Sequence, residues 1–174
     1  MKFFSDFRLL LLAIWLGAAV FFIAVAQSAF AVLPQREMAG AVVGRTLVVL
    51  NFGGLAIFAL LLLTSFLGTA AANRFWLWLE RILLLITALA CAVGQFVFGV
   101  WISLKHAEIG RPVDELAADD PLRLQFDMLH EYSVWTLIVG MSAALIAFFV
   151  IANRKFTKKT ATNDPYNFEK EFKV

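Results

Sequence analysis

The sequence predicts an all-α protein, a bundle of four transmembrane helices with both termini in the cytoplasm. Three observations carry that expectation. Of 174 residues, 61% are hydrophobic and only 16% charged, against roughly 45–50% and about 25% in an ordinary soluble domain. The apolar residues gather into long runs, each sufficient to cross a hydrocarbon layer of ~30 Å at ~1.5 Å per residue. Lysines and arginines, finally, fall unevenly on the two sides those runs define.

The first run extends from about Leu9 to Leu33, carries no charge and stops at Pro34. Lys2 and Arg8 precede it, and Ala29-Phe30-Ala31 mimics a cleavage site. A leader's apolar stretch is only about 7–15 residues, so this segment is expected to be a retained helix. The second run spans about Thr46 to Leu67, and the pattern from Pro34 to Arg45 allows its helix to begin earlier. Gly40 and Gly44 stand there as a pair of small residues four apart. The third run lies between Arg81 and Lys105, over about 82–104. The fourth lies between Glu131 and Arg154, over about 132–152. Residues 1–153 thus form one transmembrane domain, followed by a polar tail at 154–174.

The N-terminus (Lys2, Arg8), the connection after the second run (Arg74, Arg81) and the tail hold ten of the fifteen lysines and arginines. That bias places both termini in the cytoplasm, and the compact form suggests a bacterial chain, so the expected location is the cell inner membrane. Trp76 and Trp78 then mark the inner interface, Trp101 and Trp135 the outer one. The outer connection between the third and fourth runs is the longest. It is acidic, through Glu108, Asp114, Glu115, Asp119, Asp120, Asp127 and Glu131, and is broken by Pro112 and Pro121. Asp119-Asp120-Pro121 reads as a cap opening a short amphipathic helix that leads into the fourth run.

Polar side chains within such runs are the first candidates for function, because hydrocarbon offers them no partners. Gln27 sits about seven residues before the outer end of the first run, roughly 10 Å deep. Asn51 sits a similar distance below Arg45, and Gln95 slightly deeper in the third run. With His130 at the mouth, flanked by Asp127, Arg45, Ser133 and Thr136, these three carboxamides suggest a polar cavity open to the outer face. The plainer alternative is hydrogen bonding between helices, worth about 0.6 kcal/mol per contact in measured membrane proteins.

His106 and His130 are the weak metal or haem candidates, with Met38, Met128 and Cys91 as soft donors suited to copper. No histidine falls mid-span, and a flexible acidic loop separates the two. The single cysteine excludes an internal disulfide. No nucleophile elbow, phosphate loop or HExxH is present, and the carboxylates all fall outside the expected spans. A net charge of +2 gives no support to a nucleic-acid partner.

Two stretches carry a family likeness. WLGAAVFFIAVAQSAFAVLPQREMAGAVVG, from Trp15 to Gly44, resembles the start of the transmembrane protein 205-like family, domain of unknown function 4149. DPLRLQFDMLHEYSV, from Asp120 to Val134, resembles that family's entry into its last helix, through Phe126, Leu129, His130 and Ser133. The resemblance implies a four-helix membrane domain and carries over His130 and its neighbours as site candidates, without an assigned role. The expected function is therefore non-enzymatic. The leading reading is an accessory or scaffolding subunit of a larger respiratory or photosynthetic type of complex, in contact with lipid and with a membrane-protein partner or a second copy. The alternative is a small transporter or metal-handling protein built around the outer cavity.

Overall fold

The computed structural model describes residues 2–66 and 74–153. The tail at 154–174, with its basic cluster and Asn163-Asp164-Pro165, and positions 67–73 of the inner connection lie outside the described residues. Helix α1 runs Lys2–Val32, α2 Arg36–Thr64, α3 Arg74–Ala92, α4 Val100–Ile109 and α5 Pro121–Ala152. A π-helical stretch, Val93–Gly99, joins α3 to α4, so that one continuous rod spans Arg74–Ile109. Four rods are long and apolar enough to cross a membrane. The chain is an all-α, multi-pass integral membrane protein.

The rods stand in a four-cornered ring in chain order: α1 packs on α2 and α5, and α3 packs on the same two. One end of the bundle holds Arg8, Glu80 and Asn153; the other holds Pro34, Gly110 and His130.

The helices are longer at the His130 end than the apolar runs alone indicate. α2 begins at Arg36, ten residues before the expected Thr46, so the first outer connection shrinks to the three residues 33–35. The polar residues Arg36, Glu37 and Arg45 can be helical because nothing in their propensity opposes it. α5 likewise starts at Pro121 and runs unbroken for 32 residues, merging the amphipathic helix with the span. Asp120 caps it as the sequence suggests, its carboxylate accepting from the Leu122 N–H at 2.8 Å, with Pro121 at the first helical position. Gly110 ends α4 in the left-handed conformation (φ 63°), and Pro112 prevents continuation.

The core is built from one stripe per helix. On α1 it is Leu12, Trp15, Ala19 and Phe22, at spacings of three and four residues. α2 supplies Leu50, Phe58 and Leu61; α3 supplies Leu83, Leu84 and Cys91. α5 supplies small residues, Ala143, Ala144 and Ala147, which let its backbone approach α3 closely. A Cβ on Gly140 would sit 3.0 Å from that of Ala90, and the Thr87 hydroxyl donates to Leu83 O at 3.0 Å and toward Gly140 O at 3.4 Å. These contacts form the seam between α3 and α5.

Candidate functional site

At the Arg8 end, α2 terminates against two arginines. Arg8 donates to the carbonyl of Leu61 at 3.1 Å and pairs with the carboxylate of Glu80. Both side chains are buried, Glu80 completely. Arg81 donates to the Ser65 carbonyl at 2.9 Å and to its hydroxyl at 3.2 Å, with its guanidinium 4.2 Å from the Phe66 ring centre. Cations at a helix C-terminus satisfy carbonyls that have no partner within the helix and complement its dipole. From the sequence, Arg81 only marks the boundary of the third run. The buried pair is hidden there because Arg8 and Glu80 are far apart in the chain, and only the α1–α3 juxtaposition reveals them as partners.

Midway along the bundle lies the second polar centre. Asn51 is 4% exposed, and among the described residues its carboxamide makes no hydrogen bond. It lies against Gly94, whose missing side chain leaves it room: a Cβ there would be 3.3 Å from the Asn51 nitrogen. Gly94 belongs to the π-helical stretch, a geometry often found where a helix is shaped for a specific contact. Trp15 forms the opposite wall. Its indole N–H points to Leu50 O at 3.4 Å, and its ring meets Phe58 edge-on at 4.9 Å. Gly54 is required there, since a Cβ would fall 2.5 Å from the Trp15 indole nitrogen and 2.7 Å from the Cys91 sulfur.

Around Asn51 is a small cavity of about 10 Å³, lined by Trp15, Cys91, Gly94, Ser133, Thr136 and Gly140 among others. It has room for about one water. Counted along the helices from the level where Trp15, Gly54, Cys91 and Gly140 meet, just below Asn51, Glu80 and Arg81 lie about 15–17 Å away toward one end and Glu131 about 14 Å toward the other. Arg45 is about 14 Å away, and Arg8 is nearer, about 10 Å, within reach of the boundary along its own stem. A hydrocarbon layer of ~30 Å centred here therefore ends at charged residues on both sides.

The residues singled out from sequence divide into two groups. Asn51 and Gln95 share a level, as the adjacent Phe52–Phe96 ring pair at 5.8 Å also shows. Gln27 and His130 do not join them. Gln27 is exposed, about 18 Å above the Trp15 level on α1, and His130 is exposed, about 15 Å above Gly140 on α5. Depths counted from Arg45 placed the carboxamides together; the true end of α2 is Arg36, which puts Asn51 much deeper. Ser133 and Thr136, expected at the mouth, line the small cavity instead.

His106 pairs with Glu37 at 3.1 Å, and its ring lies 6.4 Å from Phe126. Arg36 pairs with Asp114 at 3.1 Å, and Arg123 donates to Leu116 O at 2.9 Å. These exposed contacts tie α2, α4, the acidic connection and α5 into a crown at the His130 end. His106 and His130 form no cluster with a third potential ligand, and among the described residues no three histidines, cysteines or carboxylates converge as a metal site would require. Cys91 is buried, about 22 Å below His106 by helix rise.

The model of a domain of unknown function, DUF4149, matches residues 10–108. The chain belongs to the DUF4149 family. The match covers α1 through α4, with the Asn51–Gly94 contact and the Arg8–Glu80 region, except Arg8 itself. It stops before α5, so the Phe126–Ser133 likeness lies beyond the matched residues, as does the Ser133–Gly140 wall of the cavity. No curated protein and no solved structure matches the chain.

Proposed function

We propose that this DUF4149 protein is a non-enzymatic accessory or scaffolding subunit of a larger membrane complex, docking through the crown at its His130 end. The observation that carries this reading is apolar surface where lipid does not cover it. Val32 is 78% and Leu124 54% exposed, and each lies about 24–26 Å above the level of Trp15 and Gly140 at the middle of the bundle. Half of a bilayer including headgroups is only about 20–22 Å. Met38, Trp101 and Leu104, also exposed, continue this surface down to the headgroup level. Apolar side chains gathered above a membrane mark a contact surface, and Gln27 on α1 adds a carboxamide to it. The distribution of lysines and arginines supports a cytoplasmic Arg8 end in an inner membrane, and hence a crown on the outer side.

The carrier alternative draws less support from the geometry. A cavity of about 10 Å³ admits a water and no larger cargo, and Gln27 and His130 stand apart from it. Native mass spectrometry of the chain, extracted gently from its own membrane, tests the proposal. A reproducible mass carrying another subunit is expected. A lone monomer would overturn the accessory reading, and a homo-oligomer would replace it with self-association through the crown.

A further inference from the structure

Beside the Asn51 cavity, on the lipid-facing side of the α3–α5 seam, runs an apolar groove of about 340 Å³. Its walls include the aromatic rings of Phe98, Tyr132 and Trp135, and Phe98 and Tyr132 face each other at 6.5 Å. Ala90 and Thr136 line both the groove and the cavity, so the two spaces adjoin at these residues.

We propose that this groove binds a neutral, lipid-soluble ring compound of the quinone class, with one ring carbonyl directed over Thr136 toward Asn51. The Asn51 carboxamide, nine-tenths buried and without a partner among the described residues, offers two donors to a carbonyl. The Thr136 hydroxyl is committed to Tyr132 O at 2.8 Å, so Asn51 is the donor the ring carbonyl would meet. Depth decides the ligand's chemistry. Asn51 lies about 9 Å along α2 from Arg45, whose stem carries its charge outward, and about 15 Å from the Leu61 carbonyl that receives Arg8. A phospholipid's charged headgroup does not descend to that depth, and its acyl chain brings nothing for a carboxamide to bond. A flat uncharged ring bearing oxygens meets both demands: stacking against the aromatic wall and hydrogen bonding at its edge. Binding is the whole of the proposal; no electron transfer is included. It is independent of whether the crown engages a partner.

The experiment uses the full chain in lipid nanodiscs, titrated with a decyl-substituted benzoquinone while tryptophan fluorescence is followed. Trp135 lines the groove and Trp15 the cavity, so a bound quinone quenches both. Saturable quenching is expected, with affinity at least tenfold weaker in Asn51→Leu and severalfold weaker in Phe98→Leu, which takes a ring from the aromatic wall. The second variant lies outside the buried core, so it reads the groove even if Asn51→Leu unfolds. Decylbenzene, which lacks the oxygens, serves as competitor. Failure of decylbenzene to displace the quinone is the supporting result. Quenching that rises without saturation, equal affinity in both folded variants, or full displacement by decylbenzene would each overturn the assignment, the last by showing a groove that accepts any acyl-like chain.

Discussion

The two halves of the bundle are packed by different rules. Toward the Arg8 end, each helix contributes a continuous buried stripe, and the Arg8–Glu80 pair is enclosed. Beyond Phe22 on α1 and Gly94 on the third rod, and before Leu50 on α2 and Gly140 on α5, only Ala39 and Leu116 are buried apolar residues among the described ones. The charges of that half pair on the surface, Arg36 with Asp114 and His106 with Glu37. In the closed half, specificity rests on shape and one desolvated ion pair. In the open half, it rests on screened contacts between helix ends.

The largest expected effect comes from breaking the enclosed pair. Glu80→Leu leaves Arg8 buried without its counter-charge and should cost about 3–5 kcal/mol. Reversible denaturation in detergent micelles measures it. Combining Glu80→Leu with Arg8→Met should recover most of the loss, because the charge left behind, rather than the absent attraction, dominates the cost. A double variant as unstable as the single one would break this account.

Next in size is Gly54→Ala, which drives a methyl into Trp15 and Cys91 and should destabilise by about 1–3 kcal/mol. Gly40→Ala, in the open half, meets nothing within 4 Å and should be neutral or slightly stabilising. Thermal melts of the two variants side by side sharpen the contrast. Amide hydrogen exchange offers a third comparison: positions 121–131 and 101–109 should exchange well before 77–91, since local opening follows the scarcity of buried contacts. The smallest effect is expected at the crown. Arg36→Ala or Asp114→Ala should cost under about 1 kcal/mol, and added salt should shrink the difference further.

Much of this architecture is legible in the chain. Four uncharged runs at membrane length give the four rods, and Asp120-Pro121 announces the start of α5 with the capping bond seen in the structure. Less visible were the true helix ends. Hydropathy ends where polarity begins, yet a helix continues wherever propensity allows, and this is why Arg36–Arg45 belongs to α2. That ten-residue extension is also what separates Asn51 from Gln27 in depth. The Asn51 environment depends on Gly54, Gly94 and Trp15 meeting across three helices, a relation no linear spacing encodes. The Arg8–Glu80 pair was hidden for the same reason.

That pair also bears on how the protein is made. Arg8 leaves the ribosome 72 residues ahead of Glu80 (80 − 8), a lag of about 4–14 s at usual translation speeds. During that interval α1 has an arginine that belongs inside the bundle and no carboxylate to receive it. The Leu61 carbonyl arrives earlier, 53 residues after Arg8, and gives the guanidinium a first foothold once α2 folds back. Biogenesis is thus ordered: a provisional α1–α2 hairpin waits with its charge near the interface, and the arrival of α3 locks it.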